Sequence, residues 1–214
     1  MREVHGQADV ELRVLRTLRL LGFAPHEVVA ERIGCPPGEA LTVLSELGET
    51  GHVLLRSGRV GGWTLSTEGR QRLAVLSEQE LDAGGGRATV DGVYVRFLRL
   101  NARFLSLCTD WQLRPGDAQG EPVVNDHSDA AYDDTVIRRL VELDAAIRPV
   151  LAHAASAVVR FGAYPPRLSD ALERVRVGDL DWFTRPVIDS YHTVWFELHE
   201  DLLATLGLER SSER

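Results

Sequence analysis

A change of hydrophobic period between residues 52 and 66 constrains the fold more than any other feature of this sequence. His52–Ser57 and Gly62–Ser66 are short runs that suit β-strands, and the tetrapeptide Gly58-Arg-Val-Gly lies between them. Such runs on either side of a glycine-containing turn predict a β-hairpin. On both sides of this segment the apolar residues recur at helical spacing, so the sequence predicts one small hairpin within a mainly α fold.

Helices are predicted before and after the hairpin. Apolar residues at helical spacing indicate three helices, at residues 8–21, 26–33 and 37–48. Glycines follow the first two, and two prolines stand at the start of the third, as is typical of helix ends and helix starts. A fourth helix is predicted after the hairpin, with Thr67 as its N-cap.

The order of these elements is that of a winged helix-turn-helix, with the hairpin as the wing. The segment resembles regulators of the MarR type in Leu44-Ser-Glu-Leu-Gly-Glu-Thr-Gly-His-Val, in the arginine-flanked hairpin, and in Trp63-Thr-Leu-Ser-Thr-Glu-Gly-Arg. The resemblance covers roughly residues 8–76. It implies a three-helix domain with a two-stranded β wing that binds DNA.

The glycine run at residues 84–86 is a flexible break and marks a domain boundary. We therefore predict a DNA-binding domain at residues 1–83 and a helical effector-binding and dimerisation domain at residues 88–214. The second domain is expected to be a small helical bundle interrupted by a long polar connection at residues 113–131. Its segments Asn125-Asp-His-Ser-Asp and Asp189-Ser-Tyr-His-Thr-Val-Trp-Phe-Glu-Leu-His-Glu-Asp resemble the C-terminal half of actinobacterial proteins labelled MarR-like, a likeness that implies no chemistry.

The charge of the chain bears on the prediction that it binds DNA. The sequence has 24 basic and 32 acidic residues, a net charge of −8, whereas a DNA-binding protein is usually basic. The predicted recognition helix carries hydroxyl groups and glutamates but no arginine. Arginines instead form a strip at positions 13, 16 and 19 and flank the wing. We predict that the residues in contact with DNA are Thr42, Ser45, Arg56, Arg59 and Arg70.

A small-molecule pocket is predicted in the second domain, where aromatic, imidazole and carboxylate side chains are concentrated. The hypothesis is that the connection and the last helix meet around an effector. The predicted ligand-binding residues are Trp111, Asn125, His127, Asp189, Tyr191, His192, Trp195 and His199. The alternative is that these aromatic residues and histidines are core residues with one satisfied hydrogen bond, as such residues in a helix more often are. The spacing of the histidines does not favour a metal site.

The sequence contains no motif for nucleophilic, phosphate or dinucleotide chemistry, so we expect neither an enzyme nor a cofactor. It also has no membrane-spanning run and no signal peptide, which predicts a cytoplasmic protein. A homodimer is expected, because helix-turn-helix proteins commonly bind paired half-sites. Its contacts are predicted on a stripe of Tyr94, Phe97, Leu98 and Phe104, which can equally be core. The alternative function is a winged-helix accessory module that binds proteins and not DNA.

Overall fold

The structure, a computed structural model, describes residues 2–58, 61–116 and 120–208 of the chain. The chain divides into two compact units. The first unit comprises Met1–Gly85 together with His199–Arg214, and the second comprises Gly86–Leu198. The predicted division assigned all of 88–214 to one domain, whereas here the residues from His199 onward belong with the N-terminal unit.

The first unit begins with three helices, α1 (Arg2–Leu21), α2 (His26–Ile33) and α3 (Pro37–Glu49). The strands β1 (Val53–Arg56) and β2 (Gly62–Leu65) follow and pair antiparallel. Helix α4 then runs over Thr67–Gly84. These elements follow in the predicted order, because glycine, proline and the change of hydrophobic period mark their ends.

Two local features position the hairpin in the first unit. Ala24, between α1 and α2, forms an isolated β-bridge with Trp63, whose N–H donates to the Ala24 carbonyl at 2.8 Å. Ser66 is the N-cap of α4, since its hydroxyl accepts a hydrogen bond from the Gly69 N–H at 2.9 Å. The N-cap was predicted one residue later, at Thr67. The Ser66 hydroxyl also donates to the Gly51 carbonyl, so one side chain joins the start of α4 to the approach to β1.

The core of the first unit is formed by apolar residues of all its helices and of both strands. Leu15, Val29 and Leu44 are completely buried in it. Ala204, near the end of the last helix, packs into the same core. Two ion pairs, Arg16 with Asp201 and Arg19 with Glu200, join that segment to α1. These contacts explain why the residues from His199 onward group with the N-terminal unit.

The second unit is built on two long helices that pack against each other and several shorter elements. Its elements in chain order are α5 (Arg87–Gln112), β3 (Leu113–Arg114), β4 (Val123–Val124), α6 (Ala130–Ala157), a 3-10 turn (Val159–Ala163), α7 (Tyr164–Arg176), α8 (Asp181–Thr184) and the first half of α9 (Tyr191–Leu206). The prediction of a mainly α fold is confirmed. The pairing of β3 with β4 was not predicted, because strands of two residues are too short to show a period.

Aromatic packing forms the centre of the second unit. Trp195 of α9 stacks on Phe97 and Phe104 of α5, with ring centroids 5.2 and 4.7 Å apart. Tyr94 is also buried, and Leu98 is half-buried. The three aromatic residues of the predicted dimer stripe are therefore core residues. This corrects the prediction that they contact a second copy and leaves the intramolecular alternative.

Among the residues that the structure describes, no helix combines the length and the apolar character that are needed to cross a bilayer.

Gly69 provides a test of the packing of α4 against the approach to β1. A Cβ atom at Gly69 would overlap the backbone carbonyl of His52, and the backbone on both sides is hydrogen-bonded. We expect Gly69→Ala to lower the free energy of unfolding by about 1–3 kcal/mol, as overpacked sites do. Gly38→Ala is the control, since a Cβ there meets no atom within 4 Å. Equal stability of the two variants in urea unfolding would contradict this account.

Candidate functional site

Helix α3 has one face that is directed away from the core. Ala40, Leu44 and Leu47 are buried against the first unit. Because successive helical residues are about 100° apart, the opposite face carries Gly38, Thr42, Ser45 and Glu49. These four residues are exposed. The two predicted DNA-contacting residues of this helix therefore share one accessible face, with a glycine one turn before them.

The hydroxyl groups on this face are oriented by their own helix. Thr42 donates to the Gly38 carbonyl at 3.0 Å, and Ser45 donates to the Leu41 carbonyl at 2.8 Å. Each hydroxyl oxygen then has lone pairs free to accept a hydrogen bond from outside. The outward face consequently presents small, acceptor-bearing side chains, with the methyl group of Thr42 beside them.

The glutamates of α3 lie mostly at its edge. Glu39 and Glu46 are about 60–80° around the helix from the centre of the outward face. Glu49 is on the outward face but in the last turn, where the negative end of the helix dipole also lies. The acidic groups therefore flank or terminate the face and do not occupy its N-terminal half.

Two of the three arginines predicted to contact DNA lie in the described part of the chain, and both are exposed. Arg56 ends β1, opposite Gly62, and is exposed. Arg70, in the first turn of α4, is exposed as well. Arg59 lies outside the described residues.

The basic strip predicted on α1 is not a free cationic surface. The Arg16 side chain is only 6% exposed and forms ion pairs with Glu80 at 3.1 Å and with Asp201 at 3.3 Å. Arg19 is paired with Glu200 at 3.4 Å. Arg13 lies 3.8 Å from the Asp9 carboxylate and also donates to the Ile33 carbonyl. These arginines stabilise the first unit, which sequence spacing alone could not distinguish from a DNA-contacting strip.

Three of the predicted ligand-binding residues come together in the second unit. The ring of His127 lies against Trp111, with centroids 4.4 Å apart. The Asn125 side-chain amide donates to the Trp111 carbonyl at 3.2 Å and to the buried Asp133 carboxylate at 2.8 Å. Asp133 is also 3.0 Å from Nδ1 of His127. Asp133 was not predicted, because one buried carboxylate among several acidic residues has no distinguishing sequence signal.

The backbone at His127 is unusual. Its φ is +60°, in the left-handed region that non-glycine residues rarely adopt. The side chains of Asn125 and Asp133 hold the turn in this conformation through the hydrogen bonds described above, and the His127 N–H donates to the Asn125 side-chain carbonyl at 3.2 Å. The cluster thus fixes the return of the chain from β4 to α6.

Three other predicted residues surround Phe104 on α5. The ring centroids of Tyr191, His192 and Trp195 lie 5.7, 5.9 and 4.7 Å from the ring centroid of Phe104. Trp195 Nε1 donates to Asn101 at 3.0 Å, so its one polar atom is satisfied inside the unit. Burial, and secondarily the nearby Asp144 carboxylate, raises the pKa of Tyr191 well above its ordinary value. Tyr191 and Trp195 are therefore core residues, and His192 is half-buried beside them.

The last two predicted ligand-binding residues lie elsewhere. Asp189 accepts two hydrogen bonds from Arg167, each at 2.9 Å, and Arg167 also donates to Glu197 at 2.8 Å. His199 is buried and belongs to the first unit. None of the hydrogen bonds or ring contacts of Asn125 and His127 reaches α9 in the part of the chain that the structure describes. Within the second unit the seven predicted residues therefore fall into separate groups of contacts.

Comparison of the chain with family models, with curated proteins and with solved structures finds no match. The function is therefore inferred from the contacts, exposure and charge of the chain's own residues.

His192 provides a test of the core at Phe104. Burial lowers the pKa of His192 below its ordinary value of 6.5, so the imidazole is neutral at pH 7. The unfolded chain binds this proton more readily, so the contribution of His192 to stability is lost as the pH falls below 6.5. We expect an NMR titration to show one histidine resonance that titrates below pH 6.5 and is absent in His192→Gln. A midpoint at or above 6.5 for that resonance would contradict the burial described here.

Proposed function

We propose that the first unit is a winged helix-turn-helix domain that binds double-stranded DNA, and that the protein is a transcriptional regulator. In this proposal α2 and α3 are the helix-turn-helix, α3 is the recognition helix, and the β1–β2 hairpin is the wing. The outward face of α3 is the observation that carries the proposal. A recognition helix needs an exposed face that can enter the major groove, and Thr42 and Ser45 lie on such a face.

The chemistry of this face fits base edges. The major groove presents the amino groups of adenine and cytosine as donors and the methyl group of thymine as an apolar contact. The hydroxyl oxygens of Thr42 and Ser45 can accept from those amino groups, and the Thr42 methyl can contact thymine. Gly38, with no side chain, lets the N-terminal end of α3 approach closely. The N-terminal part of a recognition helix is also where base contacts usually occur.

The wing would supply a second contact. Arg56 is exposed at the end of β1, close in sequence to the hairpin turn. A wing arginine in a minor groove responds to groove width and negative potential more than to base sequence. Arg70 is a further candidate for a phosphate contact. Few phosphate contacts predict a shallow dependence of DNA affinity on salt, which accords with the acidic balance of the chain.

A protein-binding accessory module is the second candidate, and one observation favours it. Leu54 and Leu55 of β1 are 48% and 61% exposed, which is unusual for leucines on a strand. Exposed apolar residues beside an open strand edge suit contact with another protein. The two candidates predict different results: a regulator binds duplex DNA with sequence preference, whereas an accessory module does not.

A homodimer remains part of the proposal, because a regulator with one recognition helix per chain commonly uses two copies on paired half-sites. Regulation by a small molecule is also proposed. The predicted ligand-binding residues of the second unit do not converge on one site, so such a molecule is expected to bind elsewhere.

The contribution of the wing can be measured by fluorescence anisotropy. The ligand is a duplex that the protein itself selects from a random pool. We expect Arg56→Ala to weaken binding and to reduce the slope of log affinity against log salt by about 0.9, the value for one phosphate contact. Arg96→Ala removes the same charge from α5 of the second unit and is the matched control. If both variants bind like the unchanged protein, the wing does not contact DNA.

The contribution of α3 should appear in specificity. Thr42→Ala removes one hydrogen-bond acceptor from the outward face but no charge. We expect it to lower the preference for the selected duplex over an unrelated one by about 1 kcal/mol, with an unchanged salt slope. Competition titrations measure both quantities. Absence of any sequence preference in the unchanged protein would reject the regulator and favour the accessory module.

A further inference from the structure

A groove runs along one flank of α3 in the first unit. It has a volume of about 420 Å³, within the range of small-molecule sites. Residues from α1, α3, α4 and the turn before β1 line it: Glu11, Val43, Glu46, Leu47, Thr50, His52 and Arg72. None of these positions was predicted to bind a ligand, because the groove joins residues that are distant in sequence.

The floor of the groove is apolar, and on one rim the two charged side chains are paired with each other. Leu47 is buried and Val43 half-buried, so they form an apolar floor. Arg72 forms a two-pronged ion pair with Glu11, with Nε and Nη2 donating at 2.8 and 2.7 Å. This hydrogen bonding raises the pKa of Arg72 above its ordinary value. The guanidinium of Arg72 and the carboxylate of Glu11 therefore compensate each other within the groove.

The opposite rim carries the hydroxyl group of Thr50 and the imidazole of His52. The Thr50 hydroxyl donates a hydrogen bond that is shared between the Glu46 carbonyl at 3.2 Å and the Leu47 carbonyl at 3.1 Å. The same oxygen is 2.9 Å from Nδ1 of His52. This hydrogen bond holds the imidazole of His52 beside the last turn of α3, where it lines the groove.

The carboxylate of Glu46 completes this rim. Glu46 is exposed, and none of the described basic side chains forms an ion pair with it. The groove thus combines an apolar floor, an internally compensated ion pair, an imidazole ring and a carboxylate that has no basic partner among the described residues. A complementary ligand has an apolar body and a positively charged group that donates several hydrogen bonds.

We propose that this groove binds an organic cation, such as an amine or amidine attached to an apolar ring or chain, with Glu46 as its charge partner. Val43, Glu46 and Leu47 belong to α3, and Thr50 is its C-cap. Occupancy of the groove therefore acts directly on the helix that carries Thr42 and Ser45. This regulatory step rests on the proposed function, whereas binding of the cation does not.

Binding is tested first, on the full chain without DNA. Benzamidine is the probe, and benzamide, which has nearly the same shape and no charge, is the matched neutral compound. We expect isothermal titration calorimetry to show that the protein binds benzamidine and does not bind benzamide. Glu46→Gln should weaken that binding roughly tenfold, as expected for loss of a charge-assisted hydrogen bond. Glu49→Gln, which makes the same change on the outward face of α3, should leave it unchanged.

Three results would overturn the cation site. They are equal binding of benzamidine and benzamide, equal loss in the two glutamine variants, and no binding of benzamidine by the folded protein. Thermal denaturation of both variants verifies that each is folded.

The regulatory step is tested afterwards by DNA anisotropy at saturating benzamidine. A change in DNA affinity that is present in the unchanged protein and lost in Glu46→Gln supports it. Binding of benzamidine without an effect on DNA affinity rejects the regulatory step but keeps the site. If the unchanged protein binds no DNA at all, the proposed function fails independently of the cation site.

Discussion

The first unit depends on a buried guanidinium group. Arg16 of α1 is almost fully enclosed, and carboxylates from two other helices, Glu80 of α4 and Asp201 of α9, lie within 3.3 Å of it. A buried charge is costly unless it is paired, and removing one partner of such a pair typically costs about 3–5 kcal/mol. The ion pairs therefore fix how α1, α4 and the end of α9 are arranged, and the apolar core around Leu15 and Ala204 packs within that arrangement.

This network of ion pairs also affects what the net charge of the chain implies about DNA binding. A net charge of −8 argues against a nucleic-acid partner only if the basic residues are equally available. In the first unit several arginines neutralise carboxylates of the same unit, whereas Arg56 and Arg70 are exposed. In the described part of the unit, the net charge therefore understates the exposed cations on which the proposed DNA contact depends.

Much of the fold could be predicted from the sequence, because the signals are local. Gly34 ends α2 in the left-handed conformation, and Pro37 opens α3; both residue types mark helix ends in the sequence itself. What failed were inferences about pairing between distant segments. The spacing of arginines on α1 could not reveal that Asp201 lies against Arg16, and the stripe on α5 could not reveal that Trp195 covers it.

The candidate sites show the same division. Thr42 and Ser45 were located correctly on one exposed face, because helical periodicity determines which residues share a face. The groove beside α3 could not be found, since Glu11, His52 and Arg72 approach one another only through tertiary packing. The residues predicted for the pocket of the second unit lie in separate groups for the converse reason. Its side chains were of suitable types, but Trp195 and His127 are each satisfied by separate neighbours.

The division of α9 between the two units has a consequence for synthesis on the ribosome. Its residues from His199 onward complete the N-terminal unit, although they are made more than a hundred residues after α4. A nascent chain that has emerged as far as Gly85 contains Glu80 but neither Asp201, the second partner of Arg16, nor Ala204 of the same core. The native contacts of the unit that carries α3 are therefore complete only after the last helix has been translated.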